Sequence, residues 1–303
     1  MGIVAAVQMT SGHIVADNLA AAGELLRAAK EAGAEIACLP ENFAFIGLRD
    51  VDKKQTAELD GDGPAQAFLS DTARALKLWI LGGTINIRGG ADGRVANASL
   101  LIDSDGRRVA RYDKIHLFDV TIPGRDEQYR ESGTVMPGRR VVVADTPVGR
   151  LGLSVCYDMR FPELYRDLVA QGAEWLAMPA AFTVPTGRAH WETLLRARAI
   201  ENLCYVVAPA QSGTHTSGRE TYGNTLIVDY WGSVLARLER GSGVVTADLD
   251  LVKQAETRAR FPALENRQLG CAPPAVHEAV HAAPHAAPRD APHAAPHDVE
   301  VSA

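Results

Sequence analysis

Apolar runs of strand length recur along the first 250 residues, and stretches of helical period separate several of them. Runs at 3–8, 36–39, 79–85, 98–102, 141–144, 151–155, 175–178, 204–208, 225–229, 234–238 and 243–248 are short and rich in aliphatic residues, the pattern of strands. After the first run, Leu19, Ala22, Leu25, Leu26 and Ala29 fall on one helical face, with Asn18 as candidate cap. Pro64 stands at a first helical position before Phe68, Leu69, Ala73 and Leu76, and Pro162 does the same before Leu164, Tyr165, Leu168 and Val169. Over 190–202, Trp191, Leu194, Leu195 and Arg198 share a face.

Other connections are tight turns. Asp105-Gly106 joins 98–102 to 107–112, Pro147-Val148-Gly149 joins 141–144 to 151–155, and Trp231-Gly232 joins 225–229 to 234–238. Helical crossovers mixed with hairpins imply mixed sheets, and so many strands exceed one comfortable open sheet. The expected fold class is α/β: two stacked mixed β-sheets with helices on the outer faces, an α-β-β-α sandwich.

Composition changes this picture only at the end of the chain. From Cys271 onward the residues are largely Ala, Pro and His, with almost nothing large to bury, so a single domain over 1–270 and a disordered tail over 271–303 are expected. Five of the nine histidines lie in that tail. Metal capture is one reading of them, and a low-complexity segment with incidental affinity is the preferred one. The net charge of −6 provides no basic face for nucleic acid. No apolar run reaches the roughly 18–20 residues that a membrane span requires. Residues 2–8 read as a first strand rather than a signal peptide, and none of the four cysteines forms a CxxC pair, so a reducing cytoplasm is expected.

Three segments carry candidate chemistry. In Leu39-Pro40-Glu41-Asn42-Phe43, a glutamate follows the C-terminal end of a buried-looking strand, where ligands bind in α/β sheets. Beside Phe43 and Phe45 it would lose hydration, which suits a proton acceptor; taken alone, a surface or capping residue is the preferred reading. In Tyr112-Asp113-Lys114-Ile115-His116-Leu117-Phe118, Lys114 also follows a strand, and His116 among apolar neighbours reads as structural rather than as a partner for cysteine. In Leu153-Ser154-Val155-Cys156-Tyr157-Asp158, a strand runs into a turn ahead of the Pro162 helix. That context resembles a nucleophile elbow, although a buried core cysteine fits it as well. Cys38 and Cys204 read as core residues.

Taken together, LPEN around Glu41, YDKIHLFD around Lys114 and SVCYDMRFPE around Cys156 resemble the Glu–Lys–Cys triad of the nitrilase superfamily of carbon–nitrogen hydrolases, in order and spacing. The resemblance runs from the first strand to about residue 268. It implies Cys156 as nucleophile, Glu41 as base and Lys114 as charge stabiliser. It further implies Glu131 as the second glutamate, the backbone N–H of Tyr157 as oxyanion donor, and Phe182 and Thr183 in the substrate pocket. An ammonium beside the thiol would favour thiolate. Tyr157-Asp158 stands where true nitrilases carry Trp-Glu, which favours amides over nitriles. PAAFTVPTGRAHWE and YGNTLIVDYWG resemble the amidase branch acting on deaminated glutathione. The implied reaction is hydrolysis of a small carboxylated amide to acid and ammonia through a cysteine thioester, with no cofactor or metal. An ω-amidase acting on α-ketoglutaramate and a carbamoyl hydrolase share the same triad. Arg125, Arg130, Arg188 and Arg219 are the candidates for holding a substrate carboxylate. Superfamily habit implies a homodimer or larger assembly.

Overall fold

A computed structural model describes residues 2–90, 92–124 and 127–269. The first half runs β1 (Gly2–Gln8), α1 (Val15–Glu31), β2 (Ile36–Cys38), α2 (Pro64–Leu76), β3 (Trp79–Leu81), β4 (Ile85–Arg88), β5 (Val95–Ile102) and β6 (Arg108–Asp113). An antiparallel pair, β7 (Asp119–Thr121) and β8 (Gln128–Arg130), and the short β9 (Val135–Met136) follow. Next come β10 (Val143–Thr146), β11 (Gly149–Leu153), α3 (Pro162–Ala170), β12 (Trp175–Ala177), α4 (Val184–Asn202) and β13 (Tyr205–Ala208). A second pair, β14 (Ser212–Thr214) and β15 (Glu220–Tyr222), precedes β16 (Thr225–Val228), β17 (Val234–Leu238), β18 (Gly243–Leu249) and α5 (Leu251–Arg260).

These elements form the expected α-β-β-α sandwich. One sheet has the order β18-β1-β2-β3-β5-β4, with β6 and β9 also pairing with β5. The other has the order β10-β11-β12-β13-β16-β17. Alternation along β1 and β2 shows how the layers arise. Val4, Ala6, Ile36 and Cys38 point into the core between the sheets, whereas Ala5, Val7 and Ala37 pack against Ala22, Leu26 and Ala29 of α1 and Leu69 and Ala73 of α2. Helices α3 and α4 cover the second sheet through Leu164, Tyr165, Leu168, Trp191, Leu195 and Ala199. Strands β1, β2 and β3 run parallel, as do β11, β12 and β13. The C-terminal ends of β2, β6 and β11 are where Glu41, Lys114 and Cys156 follow.

The three turns expected from Asp105-Gly106, Trp231-Gly232 and Pro147-Val148-Gly149 each carry a left-handed glycine, with φ of +78°, +91° and +93° at Gly106, Gly232 and Gly149. Several local readings need correction. Asn18 does not cap α1; Ile14 occupies that position, and the buried Asn18 amide instead bonds the backbone of Gly12 and Ala44. Helix α4 begins at Val184, six residues before the stretch read as helical, with Thr183 as cap. Helix α5 and the pairs β7–β8 and β14–β15 escaped notice because they are short or largely polar. The tail over 271–303, Arg125 and Cys271 lie outside the described residues. Among the described residues, no helix is long and apolar enough to cross a membrane.

Candidate active site

Cys156 sits at a strained elbow. β11 ends at Leu153, and a 3-10 turn over Cys156–Arg160 leads toward α3. The φ of Cys156 is +50°, a left-handed conformation that costs a non-glycine residue about 1–2 kcal/mol. The surroundings hold it there: its N–H donates to Pro179 O at 2.9 Å. The thiol opens into the same pocket as Glu41, Lys114 and Ala181. Asn42, next to Glu41, is also left-handed at φ +57°, and its N–H donates to Thr84 Oγ1 at 2.8 Å.

Lys114 links the two predicted glutamates. Its ammonium donates to Glu41 Oε1 at 2.9 Å and to Glu131 Oε2 and Oε1 at 2.9 and 3.2 Å. All three side chains are nearly sealed from solvent, at 2% exposure for Lys114, 4% for Glu41 and 9% for Glu131. Asn97 Nδ2 also donates to Glu41 Oε1, at 3.1 Å. With two donors on Oε1, Oε2 is the oxygen left to accept a proton. Glu131 is held in turn by the Phe118 N–H at 2.7 Å.

Electrostatics separate these groups sharply. Burial alone would favour neutral Lys114, but Glu131 and Glu41 hold its pKa well above the usual lysine value. Burial likewise pushes Glu131 up, but the Lys114 ammonium, aided by Lys53, brings it down to about 2. Cys156 departs from the thiolate expectation. Burial first, then the Glu41 carboxylate, push its pKa well above the cysteine range, and the opposing pull of Lys114 is too small to reverse this. The free site therefore holds a protonated thiol beside a proton acceptor. Cys38 is raised by burial, and Cys204 is pushed up to about 12 for the same reason, as inert core residues should be.

A pocket opens over these groups. It is lined by Glu41, Lys114, Glu131, Cys156 and Tyr157, and also by Phe182 and Thr183 as expected. The fold decides among the candidate arginines. Arg188 is exposed on α4 and lines no part of the cavity, whereas Arg130 and Arg219 do line it. Arg219 is the better placed: its guanidinium lies over the Tyr129 ring and donates to Ala181 O at 2.9 Å, while its buried Nε has no partner. Lys53 joins these two arginines, with Asp50 as the opposing charge on that wall. Lys53, Tyr129 and Asn97 were missed from the sequence. Asn97 alone left a signal, as an amide inside the largely apolar run of β5. His116 is structural as read: its ring stacks on Phe161 at 3.7 Å and bonds Asp158 at 2.7 Å.

An elbow cysteine facing a carboxylate that shares a buried lysine with a second carboxylate suits acyl transfer from nitrogen. Residues 3–259 match the carbon–nitrogen hydrolase family model. The chain belongs to that family and is an amidase-type hydrolase of carbon–nitrogen bonds. It is 43% identical, over 88% of its length and 97% of the relative's, to a deaminated glutathione amidase of Synechocystis sp.. Its fold matches the Caenorhabditis elegans NitFhit protein with TM-score 0.81 and 40% identity, covering 88% of this chain and 65% of that one. It also matches an amidase from Nesterenkonia sp. AN1, seen with acrylamide added to its active-site cysteine, with TM-score 0.71 and 25% identity over 86% and 98% of the two chains.

Proposed function

We propose that this protein hydrolyses a small carboxylated amide of the deaminated-glutathione type through a thioester on Cys156. The observation that carries the mechanism is the left-handed Cys156 elbow opening into one pocket with Glu41, with Lys114 shared between Glu41 and Glu131. Glu41 takes the thiol proton as sulfur attacks the amide carbon. Lys114 Nζ and the Tyr157 N–H stabilise the oxyanion, and losing one such donor typically costs roughly 3–4 kcal/mol. Glu41 returns the proton to the departing nitrogen as the C–N bond breaks, leaving a thioester. Glu41 then deprotonates a water that attacks the thioester, and the acid leaves as the thiol is restored. Glu131 holds Lys114 charged and in place.

The substrate class rests on the relatives' names and on the cationic wall of Lys53, Arg130 and Arg219. Bidentate pairing with a carboxylate suits the planar fork of Arg219. One expectation changes on chemical grounds. In deaminated glutathione the scissile amide joins the γ-carboxyl to cysteinylglycine, so an amine departs; ammonia is the product only with primary amides. The free cysteines suit a reducing cytoplasm, and the exposed Trp231–Phe261 contact suits assembly as a homodimer or larger. A panel of deaminated glutathione, α-ketoglutaramate, short aliphatic amides and nitriles tests the assignment, with amine and ammonia release followed separately. The highest kcat/KM is expected on deaminated glutathione. A preference for α-ketoglutaramate makes the protein an ω-amidase, and equal rates on neutral and acidic amides overturn the carboxylate requirement.

A further inference from the structure

Asp158 has no part in the chemistry above, yet its carboxylate is completely buried and accepts four hydrogen bonds from two sides of the site. On the elbow side, the Val155 N–H donates to Oδ2 at 2.8 Å. From the other sheet, Tyr112 OH donates to Oδ2 at 2.6 Å, and the backbone N–H and ring Nδ1 of His116 reach Oδ1 at 3.0 and 2.7 Å. Because a carboxylate only accepts, Nδ1 of His116 is the donor in this contact. Tyr112 ends the buried part of β6, and His116 lies two residues beyond Lys114, so Asp158 grips the chain on both sides of the lysine. The stack of His116 on Phe161 closes the same strap at the far end of the turn.

We propose that Asp158 is a positioning residue: it clamps the Lys114 segment of the first sheet to the Cys156 elbow of the second and so sets the separation of ammonium and sulfur. The strap crosses between two sheets whose shared core is largely apolar, from Val4, Ala6, Ile36 and Cys38 on one side and Leu151 and Leu153 on the other. Such packing is non-directional and leaves small sliding inexpensive. Four hydrogen bonds to one buried charge are directional and costly to lose. An error of about 1 Å in the lysine's position over the forming oxyanion can cost about 10²-fold in rate. The role rests on Cys156 and Lys114 carrying the reaction.

Asp158→Asn tests it. Both carboxylate oxygens accept from a backbone N–H that cannot turn around, so either orientation of the amide sets an NH2 against a donor. On the best carboxylated amide, kcat is expected to fall about 10–100-fold with KM changed less than about threefold. Tyr112→Phe, which removes one strap and leaves the rest, is expected to lower kcat about 3–10-fold alone and under twofold in the Asp158→Asn background, because both act through one carboxylate. If Asp158→Asn does not fold, Tyr112→Phe and His116→Gln decide: falling kcat at constant KM supports the strap, and wild-type kcat in both overturns it. Folded Asp158→Asn with wild-type kcat also overturns it, as does a loss confined to KM. Cys156→Ala, assayed alongside, separates the cases: if it retains turnover, the mechanism itself fails, whereas an inactive Cys156→Ala with wild-type Asp158→Asn defeats only the strap.

Discussion

Lys114 and Glu131 form an ion pair at 2.9 Å, with a second contact at 3.2 Å, in a part of the molecule closed to solvent. A lone ammonium buried there would shed its proton. Two carboxylates around one ammonium keep it charged. Burial first, and Glu41 after it, hold the neighbouring Cys156 thiol above the usual cysteine range against the weaker pull of that ammonium.

Removing any member of the proposed triad should stop the reaction. Cys156→Ala, Glu41→Gln and Lys114→Met are each expected to lower kcat at least ~10³-fold, by analogy with other triads, in proteins that remain folded by circular dichroism. Product release from Cys156→Ala at the wild-type rate would falsify the mechanism.

Glu131 should leave a mark on acid stability. Its pKa falls from the unfolded value of 4.5 to about 2 in the folded protein. A depressed carboxyl contributes stability that is complete above pH 4.5 and lost as pH falls toward 2. Thermal melts of wild type and Glu131→Gln should therefore differ most at neutral pH and converge between pH 4.5 and 2. A gap that stays constant over that window contradicts the ion pair's role in folding.

Arg219 should govern selectivity rather than chemistry. Arg219→Met is expected to raise KM roughly tenfold for a carboxylated amide, with little change in kcat, since the contact serves ground and transition states alike. A neutral amide should be nearly unaffected. Identical losses on both substrates would remove Arg219 as the carboxylate anchor.

Gly83 supports the Glu41 loop from behind. Its φ is +43°, and a Cβ there would collide with the carbonyl oxygen of Pro40, the residue before Glu41. Gly83→Ala should destabilise the protein by about 1–3 kcal/mol through strain and displacement. It should also lower kcat more than an equally destabilising change in α5. Stability and kcat both unchanged would show that the loop yields freely.

Truncation tests the proposed boundary. A chain ending at residue 270 is expected to keep activity and melting temperature, because the Ala/Pro/His composition beyond it offers little to bury. Loss of either shows that the tail contributes to the folded domain.

Periodicity alone determined the layers. The short apolar runs such as 3–8 and 36–39, too many for one open sheet, and the helical face of Leu19, Ala22, Leu26 and Ala29 are local signals, so the sandwich was legible before any contact was known. The proposed triad could be named from sequence because its members stand beside motifs with a resemblance, in Pro40-Glu41-Asn42, Asp113-Lys114-Ile115 and Val155-Cys156-Tyr157. What the sequence could not decide depends on distances between segments far apart in the chain. Thiolate or thiol at Cys156 turns on how burial and Glu41 outweigh Lys114, which is a matter of depth and separation. Arg219 and Arg188 look alike in sequence; the first reaches the cavity because β14 and β15 fold back over Ala181, and the second lies on the exposed side of α4. The clamping role of Asp158 gave no local signal, because three of its four donor groups belong to Tyr112 and His116, far away in the chain and brought to it only when the two sheets stack.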